Sequence, residues 1–392
     1  MDAQPKSNPE FDPSMAFYTG PGTLGGRYLR SFWQPIYAGK LVKPGRTRPV
    51  RVLGEEFTLY RGEAGRPHLV DHRCAHRGTQ LSAGTVEGDA IRCFYHGWKY
   101  GADGQCLEQP GEAKPFCDKI RIRSFPVQEY LGVIFAYFGE GEPPPFPRYE
   151  RFEHWDGTPN LSLMVEIAPY NFFQRIENSH DFVHLPFVHK QAFPAVKPTL
   201  DTIIPRVTTK ECSWGMETHR IDPNGFDLVA YFGMPNINYI SIGKGAGREW
   251  EGGGELLFIR VPVDDHSHMQ FMWNWTDSDH SELPQGDQLD LINKTRNEIA
   301  LAVLNGDTTM DEVIAAGTPG LFDIEDDVAQ LGQGVLWNRE GEHLGSSDAS
   351  VALLRRLWTR DLRALSEGRT RHDWSRTPDM VPKVVALPSG VR

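Results

Sequence analysis

The sequence has little cysteine, no long apolar run and a deficit of positive charge, and each shortage excludes a class of protein. Five cysteines in 392 residues, at unrelated spacings, do not make a disulfide framework. No run approaches the roughly eighteen apolar residues of a membrane span, and the amino terminus lacks the apolar core of a secretory signal. A net charge of −11 argues against nucleic acid or an anionic membrane surface as a partner. We therefore expect a cytoplasmic protein.

Length and patterning predict two domains, because 392 residues exceed what one hydrophobic core usually supports. Residues 1–32 form a polar arm followed by a short helix. Residues 33–140 contain short β-type runs separated by glycine-bearing turns, which predicts a compact antiparallel β domain. The stretch 139–147, G-E-G-E-P-P-P-F-P, is a stiff linker that marks the domain boundary.

The remaining part of the chain, 148–392, mixes strands with helices and predicts an α+β domain built on an antiparallel sheet. One helix is predicted at about 287–304 and another at about 348–366. The apolar residues on one face of the first helix are Leu289, Ile292, Ile299 and Val303.

The stretch from Glu177 to His189, E-N-S-H-D-F-V-H-L-P-F-V-H, concentrates side chains that bind metals. Asp181 and His184 are three residues apart and share a face on a helix. His189 would point away from His184 on a regular helix, but we expect Pro186 to break the path so that the imidazoles converge. Two histidines and one carboxylate with open positions are the ligands of non-haem Fe(II) oxygenases. From this stretch alone, unrelated histidines on a helix are the alternative.

Two short loops of the β domain, C-A-H-R-G and C-F-Y-H-G-W, each supply one thiolate and one imidazole. A zinc finger would group its cysteines in one knuckle and its histidines on a helix. The split pairs instead allow two cysteines to hold one iron of a [2Fe–2S] cluster and two histidines to hold the other, the Rieske arrangement. The predicted cluster ligands are Cys74, His76, Cys93 and His96. A structural zinc site is the alternative.

These motifs, with the opening G-P-G-T-L-G-G-R-Y-L-R-S-F-W-Q-P, resemble the catalytic α subunits of the Rieske non-haem iron oxygenases over nearly the whole chain. The resemblance implies that His184 and His189 are the iron imidazoles, that Asp181 links the two metal centres, and that Asn178 lies near the iron. It also implies a helix-grip catalytic domain, a curved antiparallel sheet around a long helix. The opening segment and the run E-H-L-G-S-S-D resemble the phthalate-oxygenase-like branch, whose members include aromatic O-demethylases and often work as homotrimers of α subunits.

The third iron ligand implied by the resemblance is an aspartate in a downstream stretch like E-D-x-x-x-Q-x-x-x-G. The segment I-E-D-D-V-A-Q-L-G-Q-G supplies it, and alignment on Gln330 and Gly334 selects Asp326. The position after the glutamine departs from the pattern of many relatives, so Asp327 and Asp323 stay open. Carboxylates are also favoured at a helix start without any metal.

Residues and resemblance together predict an oxygenase component that uses O₂ and electrons from a separate reductase, because the chain has no flavin or nicotinamide site. The electrons would arrive either directly from the reductase or through a ferredoxin. Electrons would pass through the cluster to Fe(II). The expected substrate is an aromatic acid or a methoxylated aromatic compound, hydroxylated or O-demethylated, with Arg206 and Lys190 as candidate partners of a carboxylate. The alternatives are a cis-dihydroxylating dioxygenase and, from another class, a Rieske electron-transfer protein with a non-catalytic binding domain.

Overall fold

The structure, a computed structural model, describes residues 12–189, 204–221, 227–242, 254–276, 278–280, 287–336 and 339–374. Short strands dominate its amino-terminal part, and a large antiparallel sheet flanked by helices follows. The predicted α+β class is confirmed. No helix in these ranges is long and apolar enough to cross a membrane.

The amino-terminal elements are one short helix and a series of antiparallel strands. In chain order they are α1 (Leu24–Arg30), β1 (Trp33–Ala38), β2 (Thr47–Val52), β3 (Glu55–Arg61), β4 (Pro67–Asp71), β5 (Thr85–Glu87), β6 (Ala90–Arg92), β7 (Lys99–Tyr100), β8 (Cys106–Glu108), β9 (Ser124–Phe125), β10 (Val127–Tyr130) and β11 (Val133–Tyr137). They pair in the orders β1-β11-β10, β2-β3-β4-β9 and β5-β6-β7-β8. One Cys/His loop follows β4, and the other connects β6 to β7.

The second part contains the large sheet and the helices that hold the histidine stretch. Its elements are α2 (Glu150–Glu153), β12 (Leu161–Ala168), α3 (Phe172–Asn178), α4 (Leu185–Val188), β13 (Arg206–Cys212), β14 (Gly215–Ile221), β15 (Asp227–Gly233), β16 (Ile237–Ile242), β17 (Gly254–Asp264), β18 (Ser267–Thr276), α5 (Asp287–Asn305), α6 (Met310–Ala315), α7 (Leu321–Gly332) and α8 (Ala349–Ser366). The sheet order is β12-β18-β17-β16-β15-β14-β13, and all neighbours are antiparallel.

One hydrophobic core joins the amino-terminal strands to the large sheet. Phe135 of β11 stacks on Trp273 of β18 at 6.3 Å between ring centroids, and the Trp273 indole donates to the carbonyl of Leu131 at 2.8 Å. The long helix α8 contributes Trp358, whose ring meets Tyr28 of α1 edge-on at 5.0 Å. The linker 139–147 contains no helix or strand. The domain limits themselves stay a prediction.

The helix predicted at about 287–304 is α5, and its inward face is largely polar. Ile292 of the predicted apolar face is 39% exposed, whereas Asn293, Arg296 and Ala300 are buried. Strand β12 is the edge of the sheet, and its free backbone groups need partners. Asn293 donates from Nδ2 to the carbonyl of Val165 at 3.3 Å. The helix therefore turns polar residues inward because it covers a sheet edge and buried charges rather than an apolar surface.

The predicted break at Pro186 is also wrong. Helix α3 ends at Asn178, the chain turns, and α4 begins directly after His184. Pro186 lies in the first turn of α4, where its missing N–H would have had no helical partner. The break thus lies before His184, and a single helical turn separates this residue from His189. Asp181 lies in the intervening turn and shares no regular helix with His184.

Candidate metal centres

The first site lies in the two Cys/His loops. The thiols are free and enclosed, with Cys74 3% and Cys93 4% exposed. The imidazoles lie further out: His76 is half-buried, His96 is exposed, and their ring centroids are 4.5 Å apart. Burial raises the pKa of the Cys74 thiol; its bond to Tyr100 opposes this, and the adjacent Cys93 thiol raises it further. The two loops thus place two cysteine sulfurs on the inside and two imidazole rings on the outside.

Both loops are built on the same backbone turn. The amide of Gly78 donates to the carbonyl of Cys74 at 2.9 Å, and the amide of Gly97 donates to that of Cys93 at 3.1 Å. The glycines have φ values of 76° and 74°, a left-handed conformation that other residues rarely adopt. The repeated C-x-x-x-G spacing therefore corresponds to a turn that brings the cysteine and the histidine of each loop toward those of the other.

Aromatic side chains close the inner side of the loops. The Trp98 indole lies flat on the ring of His76, at 4.6 Å and 7°, and is 3% exposed. The Tyr100 hydroxyl lies 3.2 Å from Cys74 Sγ and accepts from the amide of Ala75 at 3.1 Å. Two enclosed thiols and two outer imidazoles match the donor set of a Rieske [2Fe–2S] cluster, so the residues fit this group.

The second site joins α4 to α7. His184, His189 and Asp326 each place one ligand atom within 4.8 Å of the other two. Asp326 Oδ1 lies 3.2 Å from His189 Nε2 and 3.6 Å from His184 Nε2. His189 is fully buried, and Asp326 is buried as well. The structure thus brings together the two histidines and the aspartate that the sequence selected.

The surroundings of His189 fit a cation at this point. Its Nδ1 lies 3.0 Å from Glu325 Oε2 and donates to it, which leaves an acceptor lone pair on Nε2. Among the described residues this buried Nε2 has no hydrogen-bond partner, although Asp326 Oδ1 faces it. Burial lowers the pKa of His189, but Asp326 and Glu325 outweigh burial, so the pKa is raised. In the neutral ring, the Nε2 lone pair and Asp326 Oδ1 are two converging acceptors. They favour positive charge between them, which either a proton on Nε2 or a divalent metal ion supplies.

Asp326 is held in its ionised form by a buried arginine. Arg175 donates to its Oδ2 at 2.5 Å, and Asn178 donates to its Oδ1 at 3.1 Å. Burial opposes ionisation, but Arg175 and then His189 hold the pKa of Asp326 far below its usual range. Asn178 Nδ2 also lies 3.5 Å from His184 Nε2. The predicted Asn178 thus lies beside the ligand set, with Oδ1 of Asp326 turned toward the histidines.

Asp181 occupies the rim of this site. Its Oδ1 accepts from the amide of Val183 at 3.0 Å, and its side chain is 33% exposed. His184 Nδ1 donates to the backbone carbonyl of Asp181, while the carboxylate Oδ2 is 3.9 Å from that nitrogen. Within one chain the carbonyl, not the carboxylate, is therefore the direct partner of His184. The link from Asp181 to a second metal centre stays a prediction.

The alternative acids have other partners. Asp327 lies 3.2 Å from Arg296 and accepts from the Tyr170 hydroxyl at 3.1 Å, and Asp323 lies 3.5 Å from Arg296. Of the two candidate carboxylate partners for a substrate, Arg206 is exposed and Lys190 lies outside the described residues.

Sequence reasoning missed Arg175 and Glu325. A signal existed for Arg175, because Phe172, Phe173 and Ile176 around it predict a helix that is partly buried, and a buried arginine needs an acidic partner. Glu325 gave no comparable signal, because acids at a helix start are ordinary.

A line of hydrogen-bonded side chains crosses the sheet face beside the second site. Glu166, Gln270 and Arg260 pair across β12, β18 and β17, with bonds of 2.9 Å and 2.7 Å. Arg260 continues to Asn238 of β16 at 2.6 Å, and Asn238 meets His180 Nε2 at 2.5 Å. Burial, and then Arg260, lowers the pKa of His180 to about 3, so this imidazole is neutral. These hydrogen bonds hold His180, the residue before Asp181, against the sheet.

Comparison with known proteins identifies the first region. The family described as the Rieske [2Fe-2S] domain matches residues 32–129. The oxygenase subunit of 5,5'-dehydrodivanillate O-demethylase from Sphingobium sp. strain SYK-6 is 30% identical over 386 residues, covering 94% of this chain and 84% of the relative. The α subunit of phenoxybenzoate dioxygenase from Ectopseudomonas oleovorans is 32% identical over 372 residues, covering 88% and 84%.

Solved structures share the fold. Pseudomonas putida CBB5 NdmA, as a mutant with theobromine, has a TM-score of 0.62 at 20% identity, over 87% of this chain and 92% of that one. The oxygenase in a reduced complex with ferredoxin in carbazole 1,9a-dioxygenase has a TM-score of 0.59 at 18% identity, over 92% and 95%.

Proposed function

Since the chain belongs to the Rieske non-haem iron oxygenases, we propose that His184, His189 and Asp326 hold the mononuclear iron at which it oxidises an aromatic substrate. The observation that carries this proposal is the buried Nε2 of His189, which faces Asp326 Oδ1 and has no hydrogen-bond partner in the part of the chain that the structure describes. An acceptor pair of that kind is costly in a buried site unless a cation lies between the two atoms.

The protein's own groups prepare both sites. When bound, a cluster at the two Cys/His loops supplies single electrons, and Fe(II) at the second site supplies O₂ chemistry. Arg175 keeps Asp326 anionic and occupies Oδ2. Asn178 donates one hydrogen bond to Oδ1, whose second lone pair is left for the metal. With three protein ligands, a bound metal would keep open coordination positions, as non-haem Fe(II) oxygenase sites do. Trp98 and Tyr100 exclude water from the sulfur side of the loops.

The proposed substrate is an aromatic acid or a methoxylated aromatic compound. Two relatives are named for such reactions, an O-demethylase and a phenoxybenzoate dioxygenase. The surroundings of His184 are apolar on one side, where Phe182, Leu228 and Ala230 form a buried cluster against which Leu185 packs. Side chains of this kind commonly line sites for aromatic ligands. A second candidate reaction is cis-dihydroxylation, favoured by relatives named dioxygenases, including a phthalate 4,5-dioxygenase.

Partners are part of the proposal. The relatives are named as subunits, and one structural neighbour is a complex of an oxygenase with ferredoxin, which supports electron delivery by a separate reductase, directly or through a ferredoxin. We place the chain in a homotrimer in which His96 of one protomer approaches Asp181 of the next. Exposure supports this contact, since the His96 ring is exposed and the Asp181 side chain is 33% exposed.

The test combines metal analysis with a substrate screen. Protein loaded anaerobically with Fe(II) should contain one iron per chain beyond those of the cluster, and His184→Ala should lose that iron while keeping the acid-labile sulfide. Aromatic acids and methoxylated aromatics are then supplied with a surrogate reductase while O₂ uptake, formaldehyde and diol products are followed. Formaldehyde indicates O-demethylation, and a diol indicates dihydroxylation. Iron confined to the cluster, unchanged in His184→Ala, would refute the mononuclear site.

A further inference from the structure

Helix α7 contacts His189 on three sides. The Phe322 ring stacks on the imidazole at 3.7 Å and 17°, Glu325 Oε2 lies 3.0 Å from Nδ1, and Asp326 Oδ1 lies 3.2 Å from Nε2. Residues three and four apart share a helix face, which brings Phe322 to the same side of α7 as both acids. One helix thus fixes the plane of the ring and contacts each of its nitrogens.

Glu325 is a buried acid committed to this contact. It is 5% exposed, and a buried carboxylate is costly unless it is paired and hydrogen-bonded. Acceptance of the Nδ1–H bond selects one tautomer of His189 and leaves the Nε2 lone pair toward Asp326. The tautomer that a metal ligand needs is therefore set by a residue that itself faces away from the metal position.

The other imidazole is oriented differently. His184 Nδ1 donates to the backbone carbonyl of Asp181, and its side chain is 15% exposed, whereas that of His189 is fully buried. A carboxylate acceptor makes an imidazole a stronger ligand than a neutral carbonyl does, because it stabilises positive charge on the ring. The two histidines are thus unequal, and His189 is the better anchored of the pair.

We propose that Glu325 is a positioning residue that holds His189 in its metal-binding tautomer and thereby sets how tightly the mononuclear site retains its ion. This rests on the proposed function, in which His184, His189 and Asp326 are the ligands. Loss of an outer partner of a metal-bound histidine typically weakens metal binding by roughly 10–100-fold. Glu325→Gln keeps an acceptor oxygen but loses the charge, so we expect about 10-fold weaker binding, and about 100-fold for Glu325→Ala.

The matched control is Asp327→Asn. Asp327 is a buried acid two residues further along α7, and it pairs with Arg296 and Tyr170 rather than with His189. Asparagine removes the same unit of charge as Glu325→Gln and keeps the shape. We expect this variant to bind metal within about twofold of the wild type, because the contacts of His189 are unchanged.

The probe is cobalt(II), titrated anaerobically into full-length protein freed of its mononuclear metal, with the cluster oxidised and diamagnetic. Low-temperature EPR gives both the affinity and the symmetry of the bound ion. We expect the affinity for cobalt to fall most in Glu325→Ala, less in Glu325→Gln and least in Asp327→Asn. The cobalt signal should change only in the two Glu325 variants. The absorption of the cluster verifies that each variant is folded. If Glu325→Ala does not fold, the isosteric Glu325→Gln variant alone tests whether Glu325 affects the metal affinity.

Failure of the proposed function and failure of the inference on Glu325 would give different results. Wild-type protein that binds no cobalt, or that binds it as tightly after His184→Ala, overturns the proposed function and this inference with it. Normal wild-type binding that His184→Ala abolishes, together with Glu325→Gln equal to Asp327→Asn in affinity and signal, overturns the inference alone. In that outcome Glu325 is a buried structural charge without influence on the ion.

Discussion

The two candidate metal centres are built by opposite means. The ligands of the first come from two loops of one sequence neighbourhood, and both loops use the same glycine-dependent turn. The ligands of the second come from α4 and α7, and the hydrogen bond between His189 and Glu325 spans 136 residues of chain. The first site is therefore shaped mainly by local backbone conformation, and the second by the packing of distant elements around buried charge.

This difference has an energetic side. The inner residues of the first site are cysteines beneath aromatic rings, and cysteine is a small apolar side chain that costs little to bury. The second site buries Arg175, Glu325 and Asp326 together, and each charge depends on its partner. A substitution at the second site should therefore leave other buried charges without partners, whereas a substitution at the first should affect only the loop in which it lies.

The largest effect is expected from Asp326→Ala. It should lose the mononuclear iron and all measurable turnover, because one of three ligands is gone, while the red-brown cluster colour persists. Iron, acid-labile sulfide and product formation are measured together. Asp327→Ala and Asp323→Ala serve as comparisons, and full activity in Asp326→Ala with loss in either of these would assign the ligand elsewhere.

Arg175→Met tests whether the second site depends on paired charge. It leaves Asp326 buried without its cation, and breaking a buried pair costs about 3–5 kcal/mol of stability. Chemical denaturation measures the change. The control on the cluster side is Arg92→Met, which breaks pairs with the more exposed Glu87 and Glu108 and should have only a small effect. Equal losses in both variants would remove the contrast between the two regions.

Asp181→Asn addresses the route between the sites. Replacement keeps the shape but turns one acceptor oxygen into a donor, which cannot face a metal-bound N–H. Turnover should fall by at least about 100-fold while the cluster spectrum, most of the iron and the assembly persist. Single-turnover kinetics should place the loss in oxidation of the cluster. Near-normal cluster oxidation in this variant, or a fully active wild-type monomer, would rule out a bridge between subunits.

The smallest effect is expected from Gly78→Ala. Its φ of 76° is strained for alanine, although a Cβ there meets nothing within 4 Å, so the cost of about 1–2 kcal/mol is purely conformational. Gly111 also has open space but no positive φ, and Gly111→Ala should be close to neutral. Thermal unfolding compares the two. An unstrained Gly78→Ala would show that the backbone turn is not what fixes the first loop.

The sequence was most informative where the determinants are local. The α+β class and the Rieske region follow from strand patterning and from loops whose ligands lie close together along the chain, and both are confirmed. Asp326 required alignment to a family pattern, since periodicity alone does not separate it from Asp323 and Asp327. The assignment of the site residues, the domain limits, the homotrimer and the cytoplasmic location stay predictions.

The failures share a physical origin. Hydrophobic periodicity does not identify the inward face of α5, because it assumes an apolar partner, whereas Arg296 packs inward against Glu166. Pro186 was misjudged because a helix start tolerates what a helix interior does not. Glu325 was missed because its partner is 136 residues away and nothing in its neighbours indicates burial. In each case the deciding contact comes from another part of the chain.

The line of side chains from Glu166 to His180 restricts how this protein can diverge. Each bond in the line joins groups that are buried, so a replacement at Gln270 removes the acceptor of Arg260 Nε and the donor to Glu166 Oε2. Single substitutions on this face of the sheet are therefore destabilising, because each leaves buried polar atoms without partners. Relatives that differ here should differ at several of these positions at once, and the line should appear in their sequences as a covarying group.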